Sequence, residues 1–465
     1  MARYNRKTNP MKSRLSILFI LLSMALTHAQ FGPQELIATL DEAFSVHASD
    51  IDGDGDMDIF AAGMFSNRII WFKNLDGAGN FGSENIIDDN AYLPQSVFGA
   101  DLDGDGDIDL AVGKYAGAIV TWYENLDGTG NFGPEQMVSD NGEGVWQAIP
   151  ADADGDGDPD LFINAWSADK ISWFENIDGQ GNFGPEQIIS NSLLRPTGIA
   201  VADLDGDGDL DAVSTSHNDN KVAWYENTDG QGTFGAEQLI STSVTQASRI
   251  QVGDIDGDGD TDLVVTSYNN NIFFWFENTD GQGNFATPRT IDTNQTDNIH
   301  LSDLDQDGDL DILSTHNNAI AYYENMDGHG NFGSQQLITT EVLAANQAIA
   351  ADLDGDGMPD VLSVSRHDDK VAWHENLGKL GTEDHPTSNI SVYPNPTNDN
   401  ITIDLAAEYP KVSIEIYTVL GKMISSEEYT SAKIIRRAVN FPSGIYILKI
   451  QISEALIRTT KLIKD

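Results

Sequence analysis

Asp101-Leu102-Asp103-Gly104-Asp105-Gly106-Asp107-Ile108-Asp109 is one of seven copies of an acidic stretch. The others open at Asp50, Asp152, Asp203, Asp254, Asp303 and Asp352, a spacing of 51 residues that shortens to 49 for the last two steps. Each copy continues into an apolar segment such as Asp109-Leu110-Ala111-Val112, a polar interval and an aromatic run such as Trp122-Tyr123-Glu124-Asn125. Next come a turn, Asp127-Gly128-Thr129-Gly130, and a last extended segment, Phe132-Gly133-Pro134-Glu135-Gln136-Met137-Val138. Glycines there supply the positive φ that tight hairpin turns need. Four short strands per repeat is the pattern of a propeller blade, because one small sheet cannot bury its faces without neighbours.

A solenoid would have the same period, so the ends decide. The chain opens with a lone fourth-strand segment, Phe31-Gly32-Pro33-Gln34-Glu35-Leu36-Ile37, and the seventh copy stops at Trp373-His374-Glu375-Asn376 without one. The first segment can complete the last blade, which removes two sheet edges that would otherwise need capping. The expected fold is all-β: a seven-bladed β-propeller over residues 30–376, a linker at 377–388 and a small C-terminal β-sandwich over 389–465. Residues 1–29 read as a signal peptide, with Arg3, Arg6, Lys7, Lys12 and Arg14 ahead of an apolar run from Leu15 to Leu26 that is too short to span a bilayer.

The acidic loops read Asp-x-Asp-x-Asp-Gly-x-x-Asp. Carboxylates on alternate residues converge when a loop curls round one ion, and six to eight oxygens suit calcium, whereas softer metals call for His or Cys. Candidate ligands are Asp50, Asp52, Asp54, Asp56 and Asp58 in the first loop, and Asp101, Asp103, Asp105, Asp107 and Asp109 in the second. The third has Asp152, Asp154, Asp156, Asp158 and Asp160; the fourth Asp203, Asp205, Asp207, Asp209 and Asp211; the fifth Asp254, Asp256, Asp258, Asp260 and Asp262. The last two have Asp303, Asp305, Asp307, Asp309 and Asp311, then Asp352, Asp354, Asp356, Met358 and Asp360. By analogy with other calcium loops the seventh position donates its carbonyl, so Met358 is tolerated, as is Gln306 at the variable fourth position. Position twelve is never acidic, and no helical pattern flanks the loops, so these are not EF-hands. Acidic turns that merely solubilise the surface are the plainer alternative.

The chain holds 74 acidic and 25 basic residues and no cysteine. A net charge of −49 argues against nucleic acid or anionic lipid as a partner. Without disulfides, an exported chain draws stability from its core or from metal. About seven Ca²⁺ ions, chiefly structural, would offset part of the crowded charge.

These motifs resemble the integrin-α-type propellers, whose FG-GAP or VCBS repeats carry the same loop between the first two strands of a blade. The resemblance covers residues 31 to 376 and implies fold and metal more than activity, because that family includes adhesion proteins, lectins and propellers attached to enzymes. On the face opposite the loops, each interval between second and third strands offers one ring: Phe65, Tyr115, Trp166, His217, Tyr268, His316 and His367. Such rings can stack on sugars or grip a peptide, or simply cover strand ends. No unique acid, base or nucleophile breaks the repeat, so a glycan- or protein-binding adhesion module is expected rather than an enzyme. A polysaccharide lyase and a scaffold for a protein partner are the alternatives.

The tail differs in kind, with 9 basic and 8 acidic residues over 389–465. Val392-Tyr393-Pro394-Asn395-Pro396, Leu420-Gly421-Lys422, Pro442-Ser443-Gly444-Ile445-Tyr446 and Thr460-Lys461-Leu462-Ile463-Lys464 resemble the type A sorting domain of the type IX secretion system. That resemblance implies secretion or surface display through the type IX machinery, with the tail removed. A carbohydrate-binding sandwich is the alternative for this segment.

Overall fold

The computed structural model describes residues 30–116, 120–140, 144–268, 272–292, 296–378, 391–393, 397, 400–418, 422–451 and 457–464. The expected signal peptide and most of the expected linker lie outside the described residues. The regular structure is β throughout: seven four-stranded antiparallel sheets and one five-stranded sheet. Among the described residues no helix is long and apolar enough to cross a membrane.

Blade 2 illustrates the repeat, with strands Pro94–Ala100, Asp109–Lys114, Val120–Tyr123 and Gln136–Ser139 paired in chain order. Its second strand is buried throughout because both faces pack on neighbours, which is why it reads as a continuous apolar run. First strands of successive blades touch one another in turn, from Ala43–Ser49 round to Ala345–Ala351 and back to Ala43–Ser49. The repeats therefore form a closed ring and not a solenoid. Closure is made by Glu35–Thr39 on Lys370–His374, with Glu35 opposite Trp373 and Thr39 opposite Lys370.

Third-strand indoles fill the wedges between blades. Trp71, Trp122, Trp173, Trp224, Trp275 and Trp373 are buried, each beneath the second turn glycine of the next blade: Gly130 covers Trp71 and Gly79 covers Trp373. A Cβ on those glycines would collide with the ring, so the turn needs glycine for space as well as for φ. Blade 6 has Tyr322 instead. It faces the ring joint, where no hairpin turn exists, and packs edge-on against Phe31 at 5.5 Å while donating its hydroxyl hydrogen bond to Gln336 Oε1 at 2.9 Å.

In the tail, Ile401–Leu405 and Val412–Tyr417 are parts of one 19-residue strand, Asn400–Thr418. Its first part pairs with Ser391–Tyr393, its last with Gly444–Gln451, and both with Met423–Ala438. Pairing is irregular between Asp404 and Tyr409. The sheet folds there over its own core of Ile401, Ile403, Val412, Ile414, Leu448, Ile450 and Leu462, giving the expected sandwich by bending one sheet.

Candidate functional site

Each acidic loop joins the first and second strands, so all seven lie at one end of the antiparallel blades. The loop is shaped by its own first residue: Asp101 Oδ1 accepts from the Gly104 amide at 2.8 Å and Oδ2 from Gly106 at 3.0 Å. Positions one, three and nine bring carboxylate oxygens within 4.8 Å of one another, as in Asp50/Asp52/Asp58, Asp101/Asp103/Asp109, Asp152/Asp154/Asp160 and Asp203/Asp205/Asp211; in Asp254/Asp256/Asp258 the third member is position five. The seventh side chain points elsewhere, since Asp107 lies against Gly128 in the hairpin turn, consistent with its freedom to become Met358.

Asp205 Oδ1 and Asp256 Oδ1 are buried with no hydrogen-bond partner. Burial, then the neighbouring fifth-position carboxylate, holds Asp103 and Asp205 above the usual carboxylate range. Orphaned, mutually repelling oxygens with no nitrogen or sulfur donor fit a hard divalent cation. These aspartate clusters are consistent with calcium sites.

The ninth Asp has a second task. Asp109 Oδ2 accepts from the Leu102 amide at 2.9 Å and Oδ1 from the Asn125 amide at 2.8 Å. Asn125 Nδ2 in turn donates to Ile51 O of the preceding blade at 2.8 Å. The pattern recurs round the ring through Asn176, Asn227, Asn278, Asn325 and Asn376, and Asn74 donates to Leu353 O at 2.8 Å across the joint. Burial pushes Asp109, Asp160, Asp211, Asp262, Asp311 and Asp360 up to about 7 and Asp58 to about 6.

Blade 1 departs from this pattern. Six blades carry Glu before that Asn, but blade 1 has Lys73, whose ammonium is ion-paired with Asp52 and, at 2.9 Å, with Asp54. A tethered cation already sits among these carboxylates.

At the opposite end of the blades, a cavity of about 550 Å³ opens. Its floor and rim come from two positions of the repeat. One lies six residues before the first Asp of each loop: Phe44, Trp146, Thr197, Ser248, Asp297 and Asn346 line the cavity, and Gln95 does not. The other lies fourteen residues after it: Trp166, His217, Tyr268, Asn317 and Arg366 line the cavity, whereas Met64 and Tyr115 do not. This second position is held by its amide, as where Trp166 donates to Gly144 O at 2.9 Å, His217 to Arg195 O at 2.9 Å and Arg366 to Ala344 O at 3.0 Å. Those acceptors have positive φ (70° for Gly144, 58° for Arg195, 55° for Ala344).

Of the seven rings singled out in the sequence, Trp166, His217, Tyr268 and His367 line the cavity. Phe65 and Tyr115 are exposed, both outside it. His316 is not in a loop: it ends the second strand Asp311–His316, buried, within 2.9 Å of Ser314 Oγ and of Gln335 Nε2. Phe65 and His367 lie one residue beyond the cavity position and His316 one before, because ring-bearing residue types do not mark where the second strand ends. Trp146, Arg195, Arg249, Arg366 and Asp297 were missed. For Trp146 and Asp297 the signal is variation: the position six residues before the loop carries seven different residues in seven repeats.

Trp146 and Trp166 stack with centroids 4.8 Å apart and planes 3° from parallel, and the row continues to His217 at 5.5 Å and Tyr268 at 5.7 Å. Arg195 lies over Trp166 at 5.1 Å, Arg249 over Trp146 at 5.2 Å and Arg366 over Phe44 at 5.9 Å. Burial brings Arg249 down to about 10, opposed by Asp297 and reinforced by Arg366. Below this level the channel is lined by His47 and His300 among other first-strand residues. Burial holds both imidazoles down at about 4; they lie in first strands and not in the loops.

A family model described as FG-GAP-like repeat matches residues 50–112, 101–163, 162–214, 203–265, 254–314 and 303–363. A secretion system C-terminal sorting domain matches 391–465. Among curated proteins, the ulvan lyase NLR42 of Nonlabens ulvanivorans is 31% identical over 100 residues, 21% of this chain and 18% of the relative. An endo-acting ulvan lyase of Formosa agariphila is 30% identical over 93 residues, 19% and 18% of the two chains. The chain thus spans about a fifth of the length of these relatives. Among solved structures, an Agrocybe aegerita lectin that recognises non-reducing terminal N-acetylglucosamine superposes with a TM-score of 0.52 at 20% identity, covering 73% of this chain and 86% of the lectin.

Proposed function

The chain belongs to the FG-GAP-like repeat family and ends in a secretion system sorting domain, and on that premise we propose that it is an exported glycan-binding propeller. In this reading residues 30–376 form the working domain, 1–29 and 389–465 serve export, and 377–388 link them. Calcium braces one face. It is held by positions one, three, five and nine of each loop, with the seventh carbonyl, in the six blades that carry Glu, while Lys73 supplies the charge in blade 1. Bound to the folded state alone, the ions add stability by mass action.

The glycan binds on the other face. The observation that carries this reading is the row of rings along the cavity wall, Trp146, Trp166, His217 and Tyr268, since aromatic side chains offer a sugar apolar area with little loss of rotamer freedom. An array of glycans and extracellular proteins probed with the purified protein tests it. Saccharide binding is expected, and Trp146→Ala should weaken it by about tenfold or more with the thermal midpoint held. Binding to proteins alone, or an unaffected variant, would overturn it.

A second reading has one observation in its favour. His217 and Tyr268 stand together in the cavity, 5.7 Å between centroids, as an acid and base for polysaccharide cleavage would. Unsaturated ends released from a bound acidic polysaccharide, and absent with Tyr268→Phe, would establish it.

A further inference from the structure

Building on the glycan reading, we propose that the cavity selects an acidic saccharide, one bearing a carboxylate or a sulfate ester, and that Arg195, Arg249 and Arg366 bind its anionic group. Residues 30–376 hold 64 acidic and 10 basic side chains. Seven of the ten are ion-paired: Arg68 with Glu84, Lys73 with Asp52 and Asp54, Lys114 with Glu135, Lys170 with Glu186, Lys221 with Glu237, Arg289 with Glu277 and Lys370 with Asp368. The remaining three, which form no ion pair among the described residues, all line this one cavity. They come from blades 4, 5 and 7, so they suit one ligand lying across the opening and not a repeated site.

Among the described residues that line the cavity Asp297 is the one acidic side chain, so these residues carry an excess of two positive charges in a domain that is otherwise strongly negative. Confining like charges away from bulk water is costly unless a counter-charge joins them. The aromatic rings beneath the three guanidinium groups take up their faces and leave the N–H donors at their edges, where a planar fork matches a carboxylate or sulfate with two parallel hydrogen bonds. Arg366 Nε and Trp146 Nε1 are buried without a hydrogen-bond partner, donors that a ligand oxygen would satisfy. An acidic polymer is repelled by most of this protein's surface, so the arginine cavity is the place where it can be held.

The test is calorimetric titration of the full purified protein with three oligosaccharides of equal length: a uronate, a sulfated and a neutral one. At least one acidic oligosaccharide is expected to bind about tenfold or more tighter than the neutral one, with an affinity that falls as salt is added. Arg249→Gln and Arg366→Gln should each cost about tenfold on the acidic ligand, and markedly less on the neutral one. Preference for the uronate or for the sulfate ester identifies the anionic group. Equal binding of acidic and neutral sugars, unmoved by the arginine substitutions, would overturn the inference and leave the glycan reading standing. Silence with all three would overturn both. Should the two inner variants fail to fold, Arg195→Gln, on an exposed side chain, carries the same test.

Discussion

The two ends of the ring are built from the same seven repeats and follow opposite rules. At the loop end every blade presents aspartates at the same places, and a single ladder of Asp and Asn contacts runs round the circle. At the cavity end the position six residues before each loop holds Phe, Gln, Trp, Thr, Ser, Asp and Asn in succession. A brace has to recur wherever two blades meet, whereas an asymmetric ligand touches each blade once. On the proposed function, repetition marks support in this molecule and departure from repetition marks recognition.

Removing the metal should break that contrast most severely. Several sites each worth about 2–3 kcal/mol at saturating calcium imply that chelation lowers the thermal midpoint by about 15 °C or more, read by calorimetry. An unchanged midpoint would reduce the loops to solvated acidic turns. Next in size is pH, in chelator. The ninth-position carboxylates sit at about 6 to 7 in the fold and near 4 when unfolded. The folded state thus binds more protons across that window, and stability falls as pH rises through it. His47 and His300, held near 4 against about 6.5 unfolded, act in the opposite sense, but they are two against seven. The metal-free midpoint should be about 5 °C or more lower at pH 7.5 than at pH 4.5, and a flat or rising profile would show that the carboxylates are not held as described.

The smallest effect sharpens the comparison within the loop face itself. Lys73→Glu restores in blade 1 the residue that the other six carry, and should add one bound calcium per chain, counted by native mass spectrometry. An unchanged count would make Lys73 a bystander to metal binding.

The ring was legible in the sequence because its requirements recur: Asp at the strand entrance and Asn reaching to the preceding blade are stated seven times, and glycine over the indole six times. The joint was legible too, since Phe31 to Ile37 has no partner nearby in sequence. The cavity was legible only by residue type. Which residue follows the end of the second strand depends on a hydrogen bond to a left-handed carbonyl, as between His217 and Arg195, and nothing in His316 or Phe65 announces that they sit one place off. Arg249 and Trp146 were hidden in first strands, where a single charged or aromatic residue looks like any other variation until the strands converge. In the tail, Asn400–Thr418 hid its unity because a bend between Asp404 and Tyr409 interrupts the alternation.

The joint also sets the order of events in time. Glu35–Thr39 is made first by the ribosome, yet the strand it must join, Lys370–His374, comes near the other end of the propeller. Until that strand arrives, the earliest segment has an open edge and no mate, and the circle cannot be completed however well the intervening blades have formed. Contacts so far apart in the chain are slow to find one another. The last blade to be finished is thus the one that was begun first, and the propeller stays an open arc until its seventh repeat has been made.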